Sequence, residues 1–476
     1  MNRQIAQLFG LAAVLFALLV AFTSRWTVFE AKSLEDKTAN RRPLIEEQRI
    51  PRGLIVARDG SVLAKSVGKG RGKSRVYTRD YPPGPLFSHA VGYSFIERGR
   101  SGLEKSRNDA LAGEEDEFQS VLSELEDERR EGKDLVTNLD PDGQRTAIQA
   151  LGGQNGSIVA IEPRTGRVRV MVSVPDFNPN EIPDRFTQLN RAEGSPLLNR
   201  ATQARYPPGS TFKVVTAAAA LDTGKFSPSS VLDGRSPQTI GGVPLANSGG
   251  QSFGAVSLTD ALTNSVNTVW GQVGQQLGPK TMYDYMERFG FNRKPSLDYP
   301  PEQMDASGVF DSGRILTDDD PVDIGRVAIG QERLQVTPLQ MAMVAAAVGN
   351  KGRLMKPRLT DRVVAKDGRV TDRIEPDLQS RVMSPKAADE LGQMMSRVVE
   401  EGSGTAGALS GIKVAGKTGT AEVDGGASNQ AWFIAFAPVD EPRMAIAVTV
   451  ERTSGQGGTA AAPLAKQVLQ ELLGEQ

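Results

Sequence analysis

The sequence predicts an α+β fold. One antiparallel sheet is flanked by helices and preceded by a small N-terminal module and one transmembrane helix. Three observations carry this. Two pairs of β-rich runs, residues 156–161 with 167–174 and residues 430–436 with 444–451, stand far apart in the chain. Between them, residues 211–221 read as a helix that is apolar almost all round, the pattern of a helix buried in a large core. Residues 4–24 carry no charge. Strands at both ends of a domain with helices between them describe a chain that leaves one sheet and returns to it.

From the N-terminus, residues 4–24 are long enough to span a bilayer and longer than the usual apolar core of a signal peptide. Arg3 and Arg25 bracket them, which fits an uncleaved anchor over residues 1–25. Arg25, Lys32, Lys37, Arg41 and Arg42 all follow the span, so the positive-inside count does not favour export. Residues 30–49 suit a juxtamembrane linker. Asp59-Gly60 between two apolar runs signals a hairpin. Residues 65–75, rich in Gly, Lys and Arg, read as exposed loop. A short helical pattern follows Ser101 as far as Leu111, and the acidic run from Glu114 reads as a solvated excursion. Residues 26–135 form a non-catalytic module on this reading, and residues 136–476 the main domain.

The main domain opens with a capped helix over residues 140–151. The two early runs form a hairpin around Glu162-Pro163-Arg164-Thr165-Gly166. The middle, roughly residues 210–400, reads as mostly helical with long loops. The two late runs pair, and residues 461–473 form the last helix.

Composition narrows the chemistry. The chain has 476 residues, a net charge of −1, no cysteine and one histidine, His89. Nothing in the charge balance calls for nucleic acid. Disulfides, thiolate nucleophiles and thiolate metal sites are excluded. A histidine-based triad would have to borrow His89 from far upstream. An activated serine therefore points to lysine as its base. Metal binding would need carboxylates alone; Asp318-Asp319-Asp320 is the candidate, against a plain solvated turn.

Tyr206-Pro207-Pro208-Gly209-Ser210 halts the chain before the buried helix, and Lys213 follows one turn after Ser210. A hydroxyl and an amine held together at a helix N-terminus make a nucleophile and base. Serine is equally a good N-cap. The same spacing occurs at Ser66/Lys69 and Ser410/Lys413, both read as loop or turn. Ser265 and Asn267 form a second pair, able to project into a cleft from a connection between helices. Ser106/Asn108 matches it too. Lys417-Thr418-Gly419-Thr420 is the third stretch. Residues 411–418 fit a phosphate-binding loop, but no strand precedes and no helix follows, as that loop requires. The other reading is a strand whose Lys417 and Thr418 reach a cleft while Gly419 lets a backbone approach.

Ser210-x-x-Lys213, Ser265-x-Asn267 and Lys417-Thr418-Gly419 follow in that order, 55 and 152 residues apart. Together they resemble the motif set of penicillin-binding proteins and serine β-lactamases. Arg52-Gly53, Asp59-Gly60 and Gly102-Leu103-Glu104 are similar to the N-terminal module of class B penicillin-binding proteins, with Ala57-Arg58-Asp59-Gly60 departing from its common form. Ala328-Ile329-Gly330-Gln331 and Trp432-Phe433 match further family segments. Tyr81-Pro82-Pro83-Gly84 and the short module look most like the actinobacterial PbpA subgroup.

The resemblance implies a monofunctional peptidoglycan D,D-transpeptidase of the penicillin-binding/serine β-lactamase-like fold. It is expected in the cell membrane with its catalytic domain extracytoplasmic. Ser210 would be the nucleophile and Lys213 the base. Ser265 would relay a proton, Asn267 would hold the substrate amide, and Lys417 would supply a cation. Thr418, Gly419 and Thr420 would bind substrate, with the Ser210 and Thr420 N–H groups as oxyanion hole. Stem peptides ending in D-Ala-D-Ala are the implied substrates and β-lactams the inhibitors. A SEDS-type membrane glycosyltransferase and other division or elongation proteins are the implied partners, and no metal or organic cofactor is implied. A D,D-carboxypeptidase, a β-lactamase, a silent division scaffold and a P-loop ATPase stay open on sequence.

Overall fold

The computed structural model describes residues 2–24, 48–71, 75–113 and 131–474. The expected linker over residues 30–49 lies almost wholly outside these, and so does the acidic run after Gly113. Helix α1 spans Asn2–Ser24. Its large apolar side chains are exposed, from 46% at Val20 to 75% at Phe9. Among the described residues, no helix is long and apolar enough to cross a membrane.

Strands β1 (Ile55–Val56) and β2 (Val62–Lys69) pair across the Asp59-Gly60 turn as expected. Asp59 accepts from the Ser61 N–H, and Gly60 sits at φ +88°, where other residues are strained. The first part of the expected loop at 65–75, residues 65–69, is instead strand. From Lys65 to Lys69, β2 alternates exposed and part-buried positions and pairs with β3 (Val76–Asp80), so Ser66 and Lys69 lie in a sheet. β4 (Asp134–Thr137) runs parallel to β1.

Helix α2 (Pro141–Leu151) begins where Asp140 accepts from Gly143 N, with Pro141 in the first turn. β5 (Gly156–Ile161) and β6 (Val168–Val174) form the early hairpin. Helix α3 is Lys213–Asp222, α4 is Leu258–Thr263 and α5 is Asn267–Arg288. Helix α6 is Pro338–Gly349. The middle is less helical than its sequence suggests. Short strand pairs lie at 231–233 with 255–257, 238–240 with 243–245, and 353–355 with 378–381.

β7 (Thr360–Val364) and β8 (Val370–Arg373) leave the main domain and extend the N-terminal sheet, whose order is β8-β7-β4-β1-β2-β3. The sheet therefore crosses the boundary drawn at residue 135. Asp298 ties the two parts: its carboxylate takes the Leu359 and Thr360 N–H groups at 2.6 and 2.9 Å and pairs with Arg107 at 3.0 Å. Inside the module, Glu104 is fully buried. Burial alone would raise its pKa, but Arg79 and Arg52, bonded to it at 2.6 and 3.0 Å, hold it below the usual carboxylate value.

Helix α7 is Pro385–Glu400. β9 (Ala415–Val423), β10 (Ser428–Ala437) and β11 (Met444–Thr453) then complete an antiparallel sheet in the order β9-β10-β11-β5-β6. Helix α8 (Ala462–Leu473) closes the chain. The late strands thus return to the early hairpin through β11 and β5. α2 and α8 cover one face of this sheet, with Leu151, Val468 and Leu469 in one core. α3, α5 and α6 form a second core on the other face, with Val215, Trp270 and Leu339 buried. β9 is the edge strand, its outer side free to meet other groups.

Candidate active site

Residues 209–212 form a tight 3₁₀ turn that leads into α3. Gly209 has φ +52°, and a Cβ there would lie 2.6 Å from the Thr420 carbonyl. Only glycine lets this turn press onto β9. Gly209 N donates to Gly330 O at 3.1 Å, and a Cβ on Gly330 would lie 1.8 Å from the Gly209 carbonyl. Trp432 Nε1 donates to Pro207 O at 3.0 Å, and Thr211 Oγ1 to Pro208 O at 2.8 Å. Ser210 is thus presented by a turn fixed on three sides, and it is half-buried. It is not a helix cap, because neither the turn nor α3 receives a side-chain cap.

Lys213 is fully buried in the first turn of α3. Its Nζ donates to Ser265 O at 2.7 Å, Ser265 Oγ at 3.2 Å and Asn267 Oδ1 at 2.7 Å. The amine holds Ser265 and Asn267, not the Ser210 hydroxyl expected as its partner. Catalytic hydrogen bonds are often unformed before a ligand binds. Burial, and then the charge of Lys417, push the Lys213 amine well below the ordinary lysine pKa.

Ser265 lies on the connection between α4 and α5, as the sequence reading requires. Its φ is +59°, uncommon for any residue but glycine. That conformation turns its hydroxyl toward two amines, Lys213 at 3.2 Å and Lys417 Nζ at 2.9 Å. Asn267 opens α5, and its Nδ2 donates to Ala246 O at 3.1 Å.

Lys417 lies on β9, fully buried, with burial lowering its pKa to about 7. A strand, not a phosphate-binding loop, carries Lys417-Thr418-Gly419-Thr420. Lys417 and Gly419 share one face of β9, Thr418 and Thr420 the other. A Cβ on Gly419 would lie 2.6 Å from Pro208 O, so the glycine admits the nucleophile turn. This contact, together with that of Gly209 on Thr420, sets the Ser210 and Thr420 backbones side by side. Thr418 Oγ1 pairs with Ser403 Oγ at 2.6 Å. Thr420 Oγ1 accepts from Gly457 N at 3.1 Å, leaving its own proton free.

The site therefore joins every motif residue read from the sequence. It adds Ser403 and Gly330, which the sequence reading did not single out as site residues. Gly330 belongs to a segment noticed only by family resemblance. Ser403 sits between glycines, where no periodicity marks it. Ser410/Lys413 lies on an exposed turn. His89 is buried elsewhere, with Nε2 3.3 Å from Pro175 O and a pKa lowered to about 4 by burial. Asp320 is held by Arg314 and by the Thr317 N–H. Among the described residues, no cluster of three or more acidic, histidine or cysteine groups is arranged to hold a metal.

Chemically, the arrangement is a hydroxyl presented at a turn, beside a chain of amine, hydroxyl and amine. A lysine whose pKa is lowered by burial gives up its own proton more readily and can then act as a base, and a second can neutralise an anion.

Comparison with known proteins agrees with this geometry. Residues 156–470 match the penicillin-binding protein transpeptidase domain, and residues 52–135 the penicillin-binding protein A dimerisation domain. The chain is 34% identical to the peptidoglycan D,D-transpeptidase PbpA of Mycolicibacterium smegmatis, covering 100% of both. It is 32% identical to PbpA of Mycobacterium tuberculosis, covering 99% of each. Among solved structures it resembles penicillin-binding protein A from M. tuberculosis in its ceftriaxone acyl-enzyme complex. The TM-score there is 0.81 at 31% identity, over 90% of this chain and 100% of that one. The D,D-transpeptidase domain from Eggerthella lenta gives 0.79 at 32% identity, over 90% and 99%.

Proposed function

The chain belongs to the penicillin-binding protein transpeptidase family, and from that premise we propose that it is a peptidoglycan D,D-transpeptidase working through an acyl-Ser210 intermediate. The observation that carries this reading is the buried Lys213–Ser265–Lys417 chain beside the Ser210 turn.

Ser210 Oγ attacks the carbonyl carbon of the penultimate D-alanine of a stem peptide, and its proton passes to the Lys213 amine, which in its neutral form keeps two N–H donors for Ser265 O and Asn267 Oδ1 and offers its lone pair. The developing oxyanion lies between the Ser210 and Thr420 N–H groups, where one lost donor typically costs about 10²–10³ in turnover. As the C–N bond breaks, Ser265 delivers a proton to the departing D-alanine amine. Ser265 already bonds both lysines, so the proton is replaced from either side. Lys417 and the hydroxyls of Thr418 and Thr420 hold the terminal carboxylate, while Gly419, expected to admit the substrate backbone, instead admits the Pro208–Thr211 turn that carries the nucleophile. Asn267 holds the substrate amide through the Nδ2 proton that Ala246 does not use. The amine of a second stem peptide then attacks the ester, forms the cross-link and returns the proton to Ser210.

The test is intact-mass analysis of the protein after brief exposure to benzylpenicillin. A lasting adduct of one penicillin is the expected result. Rapid consumption of penicillin without a lasting adduct would mark a β-lactamase. Neither adduct nor consumption would leave a silent scaffold.

The same reading places the protein in the cell membrane, held by residues 1–25 with the catalytic domain outside. The exposed apolar surface of α1 supports it. A SEDS-type glycosyltransferase and other wall-growth proteins are the partners it implies. Deleting residues 1–24 should release the protein from the membrane fraction; unchanged membrane retention would remove α1 as the anchor.

A further inference from the structure

The amide of Asn267 is fixed from both sides. Its Oδ1 accepts from Lys213 at 2.7 Å, and its Nδ2 donates to the Ala246 carbonyl at 3.1 Å. Turning the amide over would set its NH2 against the amine and its oxygen against the carbonyl, losing both bonds. One Nδ2 proton then remains for a ligand in the cleft. The placement of that proton depends on the Ala246 carbonyl, which belongs to an exposed segment rich in glycine: Gly249, Gly250 and Gly254 all have positive φ.

The next residue, Asn247, is buried, and all of its polar groups are engaged. Its N–H donates to Ser236 Oγ at 2.9 Å, and its carbonyl accepts from Gly250 N at 3.0 Å. Its Nδ2 donates to Gly234 O at 3.1 Å and Gln251 O at 2.9 Å, closing the segment on itself. Its Oδ1 accepts from Thr268 N at 2.9 Å. Thr268 is in the first turn of α5, whose N–H groups need outside acceptors. The residue at the cap position, Val266, offers no side-chain acceptor, so Asn247 caps α5 from another segment. One side chain thus clamps both sides of the Asn267 amide: the helix that bears it and the carbonyl that orients it.

We propose that Asn247 is a positioning residue for Asn267 and thereby governs recognition of an amide-bearing ligand. The inference rests on the transpeptidase reading above. It concerns ligands with an acylamino group, whose carbonyl takes the remaining Nδ2 proton. A ligand without that group has nothing to lose there.

The experiment compares acylation of the full chain by benzylpenicillin, which bears an acylamino side chain, and by 6-aminopenicillanic acid, which lacks it. Wild type, Asn247→Ala and Asn267→Ala are followed by intact mass, with binding and the acylation step resolved from the concentration dependence. Asn247→Ala should lose about tenfold on benzylpenicillin, the worth of one well-placed hydrogen bond, and less than about twofold on 6-aminopenicillanic acid. Asn267→Ala should show the same selectivity, compounded by whatever it costs Lys213. Asn247→Asp keeps the cap on Thr268 and loses both donated bonds; it should reproduce the selective loss even if the alanine variant does not fold. Equal losses on both ligands, or none, would overturn the inference while leaving the transpeptidase reading intact. A wild type that takes no adduct would overturn both.

Discussion

Ser210→Ala abolishes the covalent benzylpenicillin adduct and leaves thermal unfolding unchanged: that is the expected result, and each half has its own reason. The turn at 209–212 receives no side-chain cap, so the loss of about 1 kcal/mol that follows removal of a capping serine does not apply. No hydrogen bond links the Ser210 hydroxyl to another described residue, so its removal orphans no buried partner. The turn itself is held by Gly209, Gly330, Thr211 and Trp432, none of which uses that hydroxyl. Chemistry, by contrast, loses its only nucleophilic atom on this reading. Ser410→Ala, at the same spacing from a lysine but on an exposed turn, should label normally. The adduct is read by intact mass and located by peptide mapping. An adduct retained in Ser210→Ala would sink the assignment of the nucleophile.

Much of this site could be read in the sequence because its parts are local. Ser210 and Lys213 are one turn apart and Ser265 and Asn267 flank a helix start, so each pair is local in the chain, although it is the contact of Lys213 with Ser265 and Asn267 that joins them. Four of the five strands of the main sheet are readable because both hairpins are apolar runs bounded by turn residues, whereas β9, rich in Gly and Thr, reads as a strand only as the alternative to a phosphate-binding loop. Other features depend on partners that no local pattern names. β7 and β8 join a sheet whose other strands lie more than two hundred residues upstream. The short strands at 231–257 expose Val231 and Val243, so they lack the clean alternation that marks a half-buried strand. The far end of β2 escapes for a related reason: Lys65, Val67 and Lys69 face out, with Ser66 and Gly68 between them, a composition that reads as loop. Asn247 acts across twenty residues on the first turn of another helix, and Ser403 acts across the cleft on Thr418. A polar residue whose meaning lies in a distant partner leaves no trace in periodicity. The fixed conformation of Ser265 was equally invisible, since only the backbone angle shows why a serine stands in the left-handed region there.

The second large effect concerns the base. Lys213→Met replaces the buried amine with an apolar chain of similar length and should slow acylation about 10²- to 10⁴-fold, the usual worth of a positioned general base. Lys213→Ala should lose as much activity and also stability, because it leaves a cavity beneath the turn. The pH profile distinguishes a base from a merely structural lysine. Lys213 must be neutral to accept the Ser210 proton, so the second-order acylation constant should fall as pH drops through its lowered pKa. Lys417 must be charged to hold a carboxylate. With its pKa near 7, that charge is lost as pH rises, so efficiency should also fall on the alkaline side. The free enzyme should therefore give a bell. Lys417→Met tests the coupling. Burial comes first in lowering the Lys213 pKa and the Lys417 charge second. Removing that charge should move the acid limb toward higher pH without restoring an ordinary lysine. Acylation rates measured over roughly pH 5 to 9 decide the matter. A near-normal rate in Lys213→Met, or an acid limb that stays in place when Lys417 is replaced, would rule out this pair as the source of the base.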